Sequence, residues 1–277
     1  MIAPLTIIAA TNYSQTAANA VQYAAGLARA AGAELVLFHS FALGVHSANS
    51  LITADEMQKQ LNKAAVKLDV LGRETAERFK ISVRSFCSYS FVEEQLSSLI
   101  DAEKADLVVM GMAERSFEQE LLGNTTTTVI KKIKIPVLAV PVNARFENIK
   151  KVMYACDTLS FSIVKKFGWI RRIIGDMGIE IELFNVDQTI AELKGRKDAA
   201  VSDSEIKMEF EDEKYIYKTV RSNAVIKEIE KEIRYYKADI LVMAERRYGF
   251  WDSLVHRSKT RIMAAGLDIP LISFPGY

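Results

Sequence analysis

Apolar and polar positions alternate along this chain in two rhythms that keep exchanging places. Short apolar runs of strand length stand at Leu5–Ala10, Glu34–Phe41, Ile81–Cys87, Asp106–Met110 and Ile135–Val140. Between them lie stretches with apolar residues at helical spacing: Ala17–Ala31, Ala54–Phe79, Val92–Glu103 and a helix from Thr125 to Ile133. Ser14 stands where an N-cap belongs, and Gly111–Leu122 reads as a loop. The second half follows suit. Strands are expected at Lys151–Cys156, Ile181–Val186, Tyr215–Val220, Ile240–Ala244 and Pro270–Phe274. Helices are expected at Ser160–Met177, Ala224–Tyr235 and Ser258–Ala265. Near-continuous apolar strands alternating with helices predict an α/β fold, a parallel sheet covered on both faces.

The two halves are copies of one another. Lys104-Ala105-Asp106-Leu107-Val108-Val109-Met110 is answered by Lys237-Ala238-Asp239-Ile240-Leu241-Val242-Met243. Ile135-Pro136-Val137-Leu138 is answered by Ile269-Pro270-Leu271-Ile272, and Gly32–Phe38 by Gly178–Phe184. The first copy carries extra residues in its middle, at 41–80, against a shorter connection from Asp187 to Lys214. The direct repeat predicts two tandem doubly wound domains of five strands each, 1–143 and 149–277, joined through Pro141–Asn148. It argues against a single eight-fold barrel.

Composition narrows the function classes. The chain has 277 residues, enough for about two domains of ~150 residues. Lys and Arg number 36 against 35 Asp and Glu, so there is no basic surplus of the kind a nucleic-acid binder shows, and no nucleic-acid partner is expected. No run reaches the ~18 apolar residues of a membrane span, so no membrane partner is expected either. The start, Met1–Ala10, lacks a basic n-region and reads as a buried strand rather than a signal peptide. The two cysteines, Cys87 and Cys156, sit in apolar alternating stretches and read as buried thiols of a cytoplasmic protein.

Chemistry in an open parallel sheet gathers outside the carboxyl ends of the strands. Two such ends stand out in each copy. The first strand ends at Asn12 in copy one and at Asp157 in copy two. The fourth is followed in copy one by Gly111-Met112-Ala113-Glu114 and then by Gly123-Asn124-Thr125-Thr126-Thr127-Thr128, which leads into a helix. A helix N-terminus offers unpaired N–H groups, glycine lets a backbone come close, and threonine hydroxyls add donors. Those are the parts of an anion seat; the same residues also make an ordinary helix cap.

The strand ending in Asn12-Tyr13-Ser14, the Gly111 loop, the Gly123-Asn124-Thr125 turn and the closing Ile135-Pro136-Val137-Leu138 strand together resemble the universal stress protein A family. The resemblance covers both copies. It implies the strand order 3-2-1-4-5 in each domain and pairing of the two domains as a pseudo-two-fold dimer through their last strands. Some members bind ATP or AMP through G-x-x-G, nine residues, G-[ST], with an Asp at the end of the first strand. Carried over to copy one, Gly111 matches the first glycine, Glu114 replaces the second, and the spacing to Gly123 is one residue short. Asn124 takes the Ser/Thr place and Asn12 the Asp place. In copy two Asp157 and Ser258 match, while Ala244, Arg247 and Arg257 fill the glycine places. The expectation is a non-catalytic stress-response or regulatory binding protein with degenerate nucleotide motifs and unidentified protein partners. The alternative is an ATP or AMP sensor binding through copy one alone, at Asn12, Gly111, Gly123, Asn124, Thr125 and Thr126.

Other constellations are weaker. Arg246, Arg247, Arg257, Lys259 and His256, interleaved with Tyr248, Phe250 and Trp251, read as a solvated loop with an aromatic plug. The three histidines, His39, His46 and His256, show no metal-ligand spacing, and no catalytic site or metal centre is expected. A hydrolase would have only Glu114 or Asp157 as a base near a phosphate.

Overall fold

The computed structural model describes residues 4–41, 53–89, 91–112, 125–147, 149–156, 168–173, 178–187, 204–210, 213–244 and 267–275. The chain divides into two compact units, Met1–Phe146 and Glu147–Tyr277.

Unit 1 is built from β1 (Thr6–Ala10), α1 (Gln15–Ala31), β2 (Glu34–Phe41), α2 (Ala54–Phe79), β3 (Val83–Tyr89), α3 (Val92–Glu103), β4 (Leu107–Met112), α4 (Thr125–Lys132) and β5 (Val137–Pro141). Its strands lie in the order β3-β2-β1-β4-β5 and every neighbouring pair is parallel. One face is an apolar layer in which Ile8, Val36, Phe38, Val108 and Met110 meet Leu96, Leu99 and Ile100 of α3 and Val129 and Ile130 of α4. On the other face Ile7, Leu35, Leu37, Leu107 and Val109 are fully buried, and α1 and α2 pack there. Layers on both sides explain why the strands read as continuous apolar runs.

Local chemistry sets the element ends. Ser14 Oγ accepts the Ala17 N–H at 3.2 Å and starts α1. Lys80, Lys104 and Lys237 take left-handed backbone conformations (φ 55°, 50° and 57°) and stop their helices. The repeated Lys-Ala-Asp is thus a helix stop followed by a clamp. Asp106 Oδ2 accepts the Thr6 N–H at 2.9 Å while the Asp106 N–H donates to the Thr6 carbonyl, which aligns β4 with β1. Some elements of unit 1 differ from expectation by two residues or more, among them β5, which begins at Val137 rather than Ile135. β3 begins at Val83 rather than Ile81, because residues 81–82 are spent turning out of the Lys80 cap before Val83 meets Leu35. β4 continues through Gly111 and Met112, which pair with Val140 and Pro141, so the loop starts later than Gly111.

Unit 2 contains β6 (Lys151–Cys156), β7 (Glu180–Asp187), β8 (Ser204–Phe210), β9 (Glu213–Arg221), α5 (Val225–Tyr236), β10 (Ile240–Ala244) and β11 (Leu271–Phe274). Residues 168–173 are helical, within the expected Ser160–Met177 helix; the expected Ser258–Ala265 helix lies outside the described residues. The strands run β11-β10-β6-β7-β9-β8. Five are parallel as in unit 1, but β8 is a sixth strand and pairs antiparallel with β9. The five-strand expectation for this half is therefore corrected. The shorter connection between β7 and β9 contains a strand that pairs antiparallel with β9, from Ser204 opposite Thr219 to Phe210 opposite Glu213. The Asp239 clamp repeats that of unit 1, with Oδ2 accepting the N–H groups of Lys150 and Lys151, both at 2.8 Å.

In one place of the core the two copies differ in charge. The repeat aligns Val36, Phe86 and Leu99 of unit 1 with Glu182, Lys218 and Glu232 of unit 2. Phe38 pairs with Phe86 in register, and Phe184 pairs with Lys218 in the same way. Glu182 and Glu232 are each only 4% exposed. Lys218 Nζ donates to Glu232 Oε2 at 2.7 Å and lies 4.5 Å from the centre of the Tyr235 ring. Burial alone would pull the Lys218 ammonium down, but the Glu232 hydrogen bond and the Glu232 and Glu182 charges outweigh it and raise its pKa. An apolar contact has been replaced by an ionic one in the same seat.

Breaking a buried ion pair from one side leaves a charge without compensation and costs about 3–5 kcal/mol. Lys218→Met is therefore expected to destabilise unit 2 by about that amount. Replacing the whole group with its unit 1 counterparts (Glu182→Val, Lys218→Phe, Glu232→Leu) is expected to be neutral or stabilising. Both tryptophans, Trp169 and Trp251, belong to unit 2, so tryptophan fluorescence during urea unfolding reads the outcome. Equal loss in the single and triple variants would contradict the ionic account.

Candidate functional site

The carboxyl ends of β1, β2, β3 and β4 in unit 1 bring five sequence segments together. The first is the turn after β1. Thr11 leaves the strand with its N–H donated to the Phe38 carbonyl at 2.8 Å. Asn12 is exposed, and its Oδ1 accepts the Ser14 N–H at 3.0 Å. Between them Tyr13 sits at φ 62°, an uncommon conformation for a tyrosine, with its N–H on Thr11 Oγ1 at 3.1 Å. The turn therefore holds itself by side chain to backbone bonds before α1 begins.

The second segment is the end of β4. Gly111 is needed there because α1 comes so close. A Cβ on Gly111 would lie 2.9 Å from Thr16 Cγ2 and 3.0 Å from the Thr16 backbone carbon and oxygen. The sequence suggests that this glycine makes room for a ligand; in the fold it makes room for the first turn of α1. Thr126, buried at the start of α4, donates its hydroxyl to the Gly111 carbonyl at 2.9 Å. Thr125 is exposed at the first position of α4. Asn12, Gly111, Thr125 and Thr126 thus stand at the carboxyl ends of the two adjacent strands β1 and β4 and the start of α4, where the strand order reverses. Gly123 and Asn124 lie outside the described residues, as do Glu114, Asp157, Arg247, Arg257, Ser258 and the basic cluster at 246–259.

The other three segments come from β2, β3 and α2, and no spacing in the sequence announces them. His39 Nδ1 lies 2.7 Å from the Thr11 carbonyl, so that nitrogen carries the proton and donates. The His39 and Tyr13 rings are tilted with centres 4.7 Å apart. Lys67 of α2 places Nζ 3.7 Å from the centre of the Tyr13 ring, a cation over an aromatic face. Cys87, expected to be buried, is a half-buried free thiol in register with His39. Burial and the Asp69 charge push its pKa up, so the thiol is the favoured form. The Cys156 side chain lies outside the described residues. The Tyr13 hydroxyl is buried without a hydrogen bond among the described residues, and burial, then the nearby Cys87, push its pKa up to about 12. Adjacent residue identity hints at Asn12 and Ser14, but only the tertiary fold selects Lys67 and Cys87 as neighbours of Tyr13.

Two outcomes follow from this geometry. Gly111→Ala is expected to lower the stability of unit 1 by about 1–3 kcal/mol through overpacking, read by far-UV circular dichroism in urea. Adding Thr16→Ala should rescue only part of it, since backbone atoms of Thr16 stand as close as its methyl. Full rescue would show that the side chain alone sets the contact. For Tyr13, the folded pKa lies above the unfolded value, so its stabilising contribution is intact below pH 10 and is lost between about pH 10 and 12. Tyr13→Phe is expected to keep the fold, since the hydroxyl has no bond to lose, and to reduce the alkaline loss of stability over that window. An unchanged alkaline profile would contradict the assignment.

The comparisons with known proteins agree with this architecture. Residues 5–141 match the model of the universal stress protein family. No curated relative matches the chain. Among solved structures, a universal stress protein from Archaeoglobus fulgidus DSM 4304 is similar at 14% identity and a TM-score of 0.68, covering 98% of this chain and 96% of that one. A functionally unknown protein from Pseudomonas aeruginosa PAO1 is similar at 13% identity and a TM-score of 0.56, covering 99% of this chain and 93% of that one. Identities this low speak for the fold alone. With the family match over residues 5–141, unit 1 belongs to the universal stress protein family, and unit 2 repeats its doubly wound strand order.

Proposed function

We propose that the chain is a regulatory binding protein of the universal stress type, acting in the cytoplasm through protein partners rather than by catalysing a reaction. The observation that carries this reading is how the polar groups at the strand ends are used. Asn12 Oδ1, Ser14 Oγ, Thr126 Oγ1 and His39 Nδ1 are each bonded to the chain's own backbone. Groups committed in this way hold a surface in shape. A base or nucleophile, by contrast, has to keep its reactive atom available to substrate. Incubation with ATP and Mg²⁺ is expected to release no phosphate above the protein-free background. Sustained turnover would overturn the reading.

A second reading, an ATP or AMP sensor using unit 1 alone, is favoured by one observation. The exposed Asn12 stands at the end of β1 and the exposed Thr125 at the start of α4, and a helix N-terminus is the kind of place that suits an anion. The ligand would be held by Asn12, Gly111, Gly123, Asn124, Thr125 and Thr126. Under this reading, titration of nucleotide-stripped protein with Mg²⁺-ATP gives saturable binding near one site per chain, and Gly123→Arg abolishes it. No heat at millimolar ATP, with no thermal shift, would sink this second reading and leave the first in place.

A further inference from the structure

α2 is too long for the sheet it covers. Its 26 residues span about 39 Å at 1.5 Å per residue, while the seven residues of β3 span about 23 Å. Only its second half rests on the sheet. Leu68, Gly72 and Thr75 are its buried residues, and a Cβ on Gly72 would meet Ser85, Val83 and Leu37. Lys67 already stands at the carboxyl end of β1, over Tyr13. The half from Ala54 to Val66 therefore stands beyond the carboxyl edge, and none of its residues is buried.

That half and the turn after it carry an uncommon surface. Lys59, Lys63 and Lys67 recur every fourth residue and wind in one row from the outer side of the helix to its flank at Tyr13. The acidic residues of α2 lie outside this stretch, at Asp55 and Glu56 before it and at Asp69, Glu74 and Glu77 after it. None of the three lysines has an ion pair among the described residues. Beside the row stand two bare apolar side chains, Val66 at 63% and Val70 at 40% exposure, one turn apart. Three cations without an ion pair next to a valine pair make an amphipathic stripe that is bare among the described residues.

We propose that this face of α2 is a docking surface for an acidic amphipathic helix of a partner protein. Charge complementarity names the sign, and geometry names the shape. Carboxylates at every fourth residue of a helix repeat at about 6 Å along its axis, the same rise that separates the lysines. The valines select a peptide over a simple polyanion, because a phosphate chain leaves them wet while leucines beside the carboxylates cover them. The balanced charge of the whole chain also argues against nucleic acid as the occupant. This inference rests on the reading of the chain as a protein-binding regulator and gives that reading a partner chemistry.

The test uses the full chain and a synthetic helical peptide with glutamates in one row and leucines in the neighbouring row. The controls are a scrambled peptide of the same composition and inorganic polyphosphate. The expected result is saturable binding of the amphipathic peptide, at least tenfold tighter than the scrambled one. Lys59→Glu with Lys63→Glu should weaken it at least tenfold, and so should Val66→Ser with Val70→Ser; all four side chains are exposed, so the fold is retained. Absence of saturable binding overturns the docking surface. Equal binding of the scrambled peptide, or polyphosphate binding that needs the lysines but not the valines, overturns it in favour of a general polyanion site. The broader non-catalytic reading falls on a different result, ATP turnover, so the two failures are separable.

Discussion

Each unit depends on the alignment of its first and fourth strands, and one carboxylate sets it. Asp106 accepts a backbone N–H of β1 and returns its own N–H to the same residue; Asp239 does the same at the start of β6. A charged acceptor bonded to backbone N–H groups is among the stronger hydrogen bonds a protein makes. Because strands reverse order between β1 and β4, this alignment decides where the two strand ends stand at the far edge. There Gly111 meets Thr16 and Thr126, and Asn12 stands at the end of the adjacent strand. The site geometry is a consequence of register fixed some five residues earlier along each strand.

Much of this was legible in the residues. The repeated Lys-Ala-Asp marked both a helix end and a strand start, and the apolar runs around it could only be strands buried on both faces. Ser14 identified the start of α1, which the structure bears out with the bond to Ala17. What escaped was tertiary. Gly111 looks in sequence like a glycine kept for a ligand, yet the close approach that requires it is made by the chain's own helix. β8 was hidden because Ser204–Phe210 alternates within a charged stretch, with the antiparallel partner β9 needed to make it a strand. Lys67 and Cys87 are separated from Tyr13 by scores of residues, and no local rhythm links them.

The candidate site and the docking face are set by the same helix. The second half of α2 is held by the sheet and the first half is not, and Lys67 marks the transition between them. The cation over the Tyr13 ring ties this point to the turn that ends β1, and that turn also carries Asn12 and caps α1. A binding event on the outer half of α2 and one at the strand ends would therefore share a side chain. Two surfaces meeting at one lysine suit a regulatory protein better than two independent ones.

The ionic group of unit 2 has a further consequence, for how a chain with two near-copies folds. Tandem domains of similar fold are prone to exchange equivalent elements with each other during synthesis and refolding. Here α3 and α5 occupy equivalent seats but carry incompatible chemistry. Seating α5 on the sheet of unit 1 would press the Glu232 carboxylate against Val36 and Phe86, with no ammonium to meet it. Seating α3 on unit 2 would strip Lys218 of its closest counter-ion and bury it beside Leu99. The first error leaves a buried carboxylate unpaired and costs several kcal/mol, and the second leaves Lys218 with Glu182 alone. The divergence of these three core positions thus sets a penalty on misplacing either helix and favours each with its own half of the chain.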